Sequence, residues 1–186
     1  MEPESEVIEI LRKSGLEEGH IVLDFGCGSG TYSIPAAKIA SQTGKVYVSD
    51  KDKESLNELM QKASSARLKN IERVDSSKEL EFGLADESID IVLLFDVFHR
   101  HYFPRREERE RLLKEIYRIL KPHGFLLVWP KHMESEAEAE IEKANFYLES
   151  KHSGTLVHNN TDLEEGQVLK FGKLSGGRRN DANLRL

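Results

Sequence analysis

The segment VLDFGCGSGTYS, Val22 to Ser33, decides how the rest of the chain is interpreted. A β-rich run ends in three glycines at alternate positions, Gly26, Gly28 and Gly30, and a helix is expected to start near Thr31. Glycine permits positive φ and lets a ligand approach the backbone, and a helix start presents free N–H groups. A tight turn with purely structural glycines is the simpler alternative, but three spaced glycines beside a carboxylate favour a ligand-binding turn.

The glycine spacing separates two ligands that bind such turns, NAD(P) and S-adenosylmethionine (SAM). A dinucleotide fingerprint requires Gly-x-Gly-x-x-Gly, but neither Gly26 nor Gly28 starts a series with a third glycine at that distance. Asp24, just before the loop, would repel a pyrophosphate and favour the ammonium or sulfonium of SAM. Both observations favour SAM.

A second carboxylate, Asp50, follows the next β-rich run, KVYVS. Because the carboxyl ends of adjacent parallel strands share one crevice, Asp50 is expected to accept hydrogen bonds from ribose hydroxyls. Taken alone, Asp50 would be read as a strand-end or helix-capping residue. Asp52 or Lys53 could equally well cap the following helix, so the interpretation depends on the neighbouring glycine loop.

Short β-rich runs alternate with longer helical patterns along most of the chain. This alternation predicts a doubly wound α/β fold, with parallel strands joined by right-handed crossovers and helices on both faces of the sheet. The runs IDIVLLF and GFLLVW show no polar alternation, as expected of buried central strands. The predicted strands are 20–25, 45–49, 71–74, 89–95 and 125–129, and the predicted helices are 5–13, 31–41, 53–65, 106–120 and 135–144.

The pattern changes after Asn145. Residues 146–158 and 166–173 are two strand-like segments separated by the polar stretch NNTDLEE, and they are expected to pair antiparallel at the sheet edge. We therefore expect one domain over residues 1–173. The polar, glycine-rich tail 174–186 is expected to be poorly ordered.

Composition limits the partners. The chain has 186 residues, 38% of them hydrophobic, with 27 basic and 33 acidic residues and a net charge of −6. It has no long basic run, which argues against nucleic acid as the main partner and favours a small molecule. One cysteine, an acidic N-terminus and the lack of a long apolar run predict a cytoplasmic protein without a membrane span.

The motifs VLDFGCGSG and VYVSDKD, with NIERVDSS, IDIVLLFDVFH and LLKEIYRILKPHGFLLVW, resemble the class I SAM-dependent methyltransferase family. The resemblance implies a seven-stranded sheet in the order 3-2-1-4-5-7-6 with strand 7 antiparallel, SAM as cofactor and S-adenosylhomocysteine as product. It further implies a set of cofactor-binding residues. These are Asp24, Gly26, Cys27, Gly28 and Gly30 at the methionine part, Asp50 at the ribose, Lys51 and either Asp75 or Ser76 at the adenine, and Asp96 bordering cofactor and acceptor.

The segment after the fourth strand carries the candidate catalytic residues. His99, His101 and Tyr102 could each act as a general base toward a hydroxyl or thiol, and His101 is favoured because His99 is expected to turn toward the core. For each residue alone, packing or capping of the loop is an equal alternative. Asp96-x-x-His-x-His would permit a metal, but methyl transfer from SAM needs none and we expect none.

The sequence therefore predicts a methyltransferase for a small-molecule acceptor. The segment after the fourth strand lacks the Asn/Asp-Pro-Pro-Tyr/Phe motif, which lowers the odds of a DNA base or a glutamine amide as acceptor. No segment suggests a substrate-binding cap, so the acceptor site is expected to be shallow or completed by a second chain, in a homodimer or with an accessory subunit. A SAM-binding sensor or accessory subunit without catalysis is the alternative from another class, and an NAD(P)-dependent oxidoreductase is a more distant one.

Overall fold

The computed structural model describes residues 3–74, 80–131, 133–158 and 161–174. They form one seven-stranded sheet covered by five helices. The helices are α1 (Pro3–Lys13), α2 (Ser33–Ala40), α3 (Lys53–Ser65), α4 (Arg106–Ile119) and α5 (Glu134–Lys143). The strands are β1 (Ile21–Phe25), β2 (Lys45–Ser49), β3 (Ile71–Arg73), β4 (Ile89–Phe95), β5 (Leu120–Trp129), β6 (Phe146–His158) and β7 (Asp162–Lys173).

The strand order is β3-β2-β1-β4-β5-β7-β6. The pairs from β3 to β5 are parallel, whereas β7 runs antiparallel to both β5 and β6. This confirms the order and the antiparallel seventh strand that the resemblance implied. Because β7 alone is reversed, β6 ends at the same edge of the sheet as β1, β2 and β4.

Alternate residues of the central strands enter two separate hydrophobic clusters. Val22 of β1 belongs to the cluster beneath α1, α2 and α3, and its neighbour Leu23 belongs to the cluster beneath α4 and α5. All residues of β4 except Asp90 are buried, in agreement with the uninterrupted apolar run in the sequence. The expected helices on both faces are therefore confirmed.

The largest differences from the predicted boundaries are at the starts of β5 and β7. Helix α4 ends at Ile119, and β5 begins at Leu120 instead of Phe125. Pro122 accounts for this difference, because proline lacks an N–H and disfavours helical φ/ψ in the residue before it.

Strand β7 also begins earlier than predicted, at Asp162. Much of the stretch taken as a connecting loop is therefore strand, and Thr155 pairs with Glu165 across the hairpin with a hydrogen bond of 3.0 Å between Thr155 Oγ1 and Glu165 Oε1. Cross-strand polar pairs of this kind stabilise a strand that has little to bury. Of the predicted tail, residues 175–186 lie outside the described residues.

Among the helices that the structure describes, none is long and apolar enough to span a bilayer.

Candidate functional site

The carboxyl ends of the central strands form one crevice at the switch in strand order. Asp24 at the end of β1 is in register with Val48 of β2 and with Leu93 of β4. Residues that immediately follow these three strands therefore come together, as is usual for ligand sites in open α/β sheets. The glycine loop, Asp50 and Asp96 all lie at this edge.

The glycines of the loop differ in what surrounds them. Gly26 has a φ of 78° and donates from its N–H to the Ser49 carbonyl at 2.7 Å. A Cβ at Gly26 would lie 2.6 Å from Val97 Cγ2, so this glycine allows the loop to pack against the protein. At Gly28, with a φ of 52°, a Cβ would meet no atom of the described residues within 4 Å. The open face of Gly28 is thus the one that a ligand can approach.

Asp24 is a buried carboxylate directly beneath the loop, with 2% of its surface exposed. Ser33 Oγ, in the first turn of α2, donates a hydrogen bond of 2.5 Å to Asp24 Oδ2. Burial, opposed by the hydrogen bond from Ser33 and aided by the charge of Asp50, raises the pKa of Asp24 to about 7. A carboxyl in this state is suited to bind a cationic group, which would favour its ionised form.

Asp50 is held by two backbone groups. Its Oδ2 accepts from the Gly28 N–H at 2.8 Å and its Oδ1 accepts from the Asp52 N–H at 2.8 Å. Each carboxylate oxygen has a further lone pair, so both can still accept a hydroxyl donor. Helix α3 is capped by Asp52, which accepts from the Glu54 N–H at 3.0 Å, so Asp50 is not the cap.

Tyr102 lies on the Asp50 side of the crevice. The Lys51 ammonium is 4.0 Å from the centre of the Tyr102 ring. The Tyr102 hydroxyl is hydrogen-bonded to the Lys51 backbone. Burial, followed by the charge of Asp50, raises the pKa of Tyr102, so the phenol stays protonated at neutral pH. The sequence grouped Tyr102 with candidate bases and gave no signal that the loop returns over Asp50.

His99 caps the loop that follows β4. Its Nδ1 accepts from the backbone N–H groups of His101 at 3.2 Å and Tyr102 at 3.3 Å. Nε2 therefore carries the proton and donates to the Asp96 carbonyl at 3.0 Å. Because both ring nitrogens bond to backbone, His99 acts as a structural residue here. The side chain of His101 is exposed, and its role as a base stays a prediction.

The same loop is anchored from α4 by Arg109, which is 4% exposed. Arg109 donates to the Phe103 carbonyl at 2.6 Å and makes a bidentate contact with Glu140 of α5 at 2.7 and 2.8 Å. The loop carrying His99 to Tyr102 is therefore fixed at both ends.

A second polar contact lies across the crevice, between Asp96 and His158. Asp96 has a φ of 53°, and its Oδ2 is 2.6 Å from Nδ1 of His158, the last residue of β6. Sequence analysis placed Asp96 at the cofactor and did not consider His158. The strand order implied by the resemblance would have found it, because that order brings the end of β6 to the same edge as the end of β4.

Tyr32 joins the glycine loop to β6. Its hydroxyl donates to the Val157 carbonyl at 3.1 Å and accepts from the Val157 N–H at 3.0 Å. Its ring packs edge-on against Phe95, with centroids 4.5 Å apart. These contacts set His158, the neighbour of Val157, beside the loop.

The remaining predicted residues are less informative. Cys27 is buried, with its Sγ 3.7 Å from the Gly28 carbonyl. Asp75 and Ser76 lie outside the described residues, so their contact with adenine stays a prediction. No group of three or more His, Cys, Asp and Glu side chains in the described part of the chain has a metal-binding arrangement.

The sheet order with an antiparallel β7, together with the glycine loop before α2 and the carboxylate after β2, defines the class of SAM-dependent methyltransferase folds. Residues 23–128 match a family model described as a methyltransferase domain, and this range is more than half of the chain. The chain therefore belongs to the SAM-dependent methyltransferase family. SAM is accordingly the cofactor, and the NAD(P)-dependent alternative is set aside.

Known proteins similar to this chain include biosynthetic enzymes. Over 159 residues the chain is 29% identical to the ubiquinone/menaquinone biosynthesis C-methyltransferase UbiE of Escherichia fergusonii, covering 80% of this chain and 58% of that protein. An uncharacterized methyltransferase of Schizosaccharomyces pombe is 34% identical over 142 residues, which cover 76% of this chain and 50% of that protein. The chain thus spans about half the length of the curated relatives it matches.

The fold also matches solved structures. A SAM-dependent methyltransferase from Aquifex aeolicus superimposes with a TM-score of 0.69 at 25% identity, covering 89% of each chain.

Proposed function

We propose that the protein transfers the methyl group of SAM to a ring carbon of a reduced, quinone-type small molecule. The observation that carries the methyl-transfer part is the arrangement of buried Asp24, open Gly28 and backbone-held Asp50 at one crevice. The acceptor class is supported by the similarity to a ubiquinone/menaquinone C-methyltransferase.

Each part of the cofactor has a matching group in the crevice. Asp24 pairs with the ammonium of the methionine part, the Gly28 backbone lies against the same part, and the two oxygens of Asp50 accept the ribose hydroxyls. Lys51 and Tyr102, which are in contact with each other, flank the adenine. When bound, SAM supplies a methyl group activated by the positive sulfonium.

The acceptor lies beyond the glycine loop, near the end of β4, where two pairs of ring side chains are found. Tyr32 packs on Phe95, and Trp129 meets His158 edge-on at 6.4 Å. Tyr32, Phe95 and Trp129 are each less than 10% exposed and support this edge from within the core, so His158, with 26% of its side chain exposed, is the ring that an aromatic acceptor can contact. The chain positions the ring and excludes water, and such positioning can supply roughly 7–11 kcal/mol of the barrier.

The test uses radiolabelled SAM with a short-chain prenylated naphthoquinol that has one free ring carbon. The matched control is the same quinol with that carbon already methylated. We expect label in the first compound only, on carbon as determined by NMR of the product. Label on an oxygen, or tight SAM binding without label in any quinol, would contradict the proposal, and the latter result would favour the non-catalytic sensor or accessory subunit.

A further inference from the structure

The contact between Asp96 and His158 places a carboxylate directly beside one ring nitrogen of a histidine. Asp96 Oδ2 is 2.6 Å from His158 Nδ1, a close ion-pair contact that is off the line of a hydrogen bond. The Nδ1 atom is buried, yet 26% of the His158 side chain is exposed. The exposed surface therefore belongs to the other ring atoms, so the side of the ring away from Asp96 is the accessible one.

Other charged side chains near Asp96 and His158 are paired with groups of opposite charge. His99 Nε2 is 3.8 Å from the other oxygen of Asp96. The Lys131 ammonium, just after β5, is paired with Glu164 of β7 at 2.5 Å, and it lies 5.6 Å from the centre of the Trp129 ring. Among the residues that the structure describes, Asp96 thus provides the charge in direct contact with the His158 ring.

We propose that His158 is the general base of the reaction and that Asp96 is its positioning residue. This inference rests on the proposed function, and it concerns a pair that joins β4 to β6. The negative charge of Asp96 beside Nδ1 favours a proton on that nitrogen, which leaves the lone pair of the neutral ring on Nε2. His99 is a poor alternative, since both of its ring nitrogens bond to backbone.

The proton and electron balance of the step is complete. The phenolic proton moves to His158 Nε2, and the ring carbon forms its bond to the methyl group as the methyl–sulfur bond breaks. The thioether leaves as a neutral product. Loss of the proton on the methylated carbon to water restores the aromatic ring, while His158 returns its proton to the oxygen, so one proton is released per turnover.

Two measurements test this assignment. The first measures carbethoxylation of His158 by diethyl pyrocarbonate, with peptide mapping, in the presence and absence of S-adenosylhomocysteine. If His158 borders the site of methyl transfer, its modification becomes about tenfold slower when the product is present at about ten times its Kd. His123, which is exposed on β5, is expected to react at the same rate in both conditions.

The second measurement is turnover of the naphthoquinol by His158→Ala and Asp96→Asn, with His123→Ala as the matched control. We expect kcat to fall by about 10²-fold or more in both test variants with SAM affinity retained, and added imidazole to restore activity in His158→Ala alone. In Asp96→Asn, the KM for the quinol is expected to stay unchanged.

The outcomes separate this inference from the proposed function. Parental turnover in His158→Ala, or modification of His158 that is unaffected by the product, would overturn the role of His158. If the product protects His158 but the enzyme leaves the quinol unmethylated, the position of His158 at the site of methyl transfer is supported. The proposed acceptor class is then contradicted.

Discussion

The backbone N–H of Gly28 donates a hydrogen bond of 2.8 Å to Asp50 Oδ2, and this bond ties the loop after β1 to the end of β2. The Gly28 backbone, which we assign to the methionine part of the cofactor, and Asp50, which we assign to the ribose, are therefore hydrogen-bonded to each other before the cofactor binds. Holding them in place before binding reduces the ordering cost of association. The glycine loop and Asp50 act as one unit.

The two glycines at the start of the loop are expected to differ when each is changed to alanine. Gly26→Ala places a Cβ 2.6 Å from Val97, so we expect a clear loss of Tm. Gly28→Ala puts its Cβ into open space, so its cost to the fold is about 1 kcal/mol, the strain of a positive φ. SAM affinity, however, should fall strongly in Gly28→Ala. Unchanged SAM affinity in this variant would show that the open face of Gly28 is not the ligand side.

SAM binding is expected to depend on pH through Asp24. The pKa of Asp24 is about 7, and a cationic ligand favours the ionised form, so binding releases a proton. Affinity measured by calorimetry should therefore rise about tenfold between about pH 5.5 and 7. Asp24→Asn keeps an acceptor for Ser33 and removes the charge, so it should bind SAM more weakly and with a flat profile. A slope that persists in Asp24→Asn would assign the proton to another group.

The same carboxyl affects the stability of the protein without ligand. Because burial raises its pKa from 3.8 to about 7, neutral Asp24 stabilises the folded state. This contribution is complete below pH 3.8 and is lost as the pH rises through about 7. The Tm of the parent protein should therefore fall as the pH rises toward 7, and Asp24→Asn should lack this part of the fall. An identical fall of Tm with pH in both proteins would contradict the assignment.

Arg109 is expected to hold the loop after β4. Arg109→Ala removes one partner of a buried ion pair and a hydrogen bond to Phe103, so the free energy of unfolding should fall by about 3 kcal/mol. Arg105→Ala breaks an exposed pair with Glu108 and is the control, with little change in Tm. Equal effects in urea unfolding of the two variants would show that Arg109 does not anchor the loop.

Many strands and helices could be predicted because β-rich runs alternate with helical patterns along the chain. The bounds predicted for β2, α3 and β4 agree with the structure residue for residue. The resemblance then supplied the strand order, which periodicity alone does not give. The start of β7 was missed because its polar residues are held by cross-strand partners, which local sequence does not reveal.

The candidate site could be predicted only where a residue lies at the end of a strand or directly follows it. Asp24, Asp50 and Asp96 have such positions, and the topology brings them to one edge. The position of Tyr102 depends on the path of the loop after β4, and that of His158 depends on β6, which is distant in sequence. The neighbours of both side chains are therefore set by tertiary packing. Tyr102 contacts Lys51, and His158 contacts Asp96, across separations that no local pattern encodes.

The central claim is that the Gly28–Asp50 unit binds SAM, and calorimetric titration of the purified protein tests it most directly. We expect SAM to bind with a Kd of about 1 μM, or about −8 kcal/mol, and NAD not to bind. Asp50→Ala should weaken SAM binding by about 1.5–3 kcal/mol, the worth of hydrogen bonds to a charged group. Asp52→Ala, which removes only the cap of α3, should bind SAM like the parent. Binding of NAD without SAM, or parental SAM affinity in Asp50→Ala, would contradict the account.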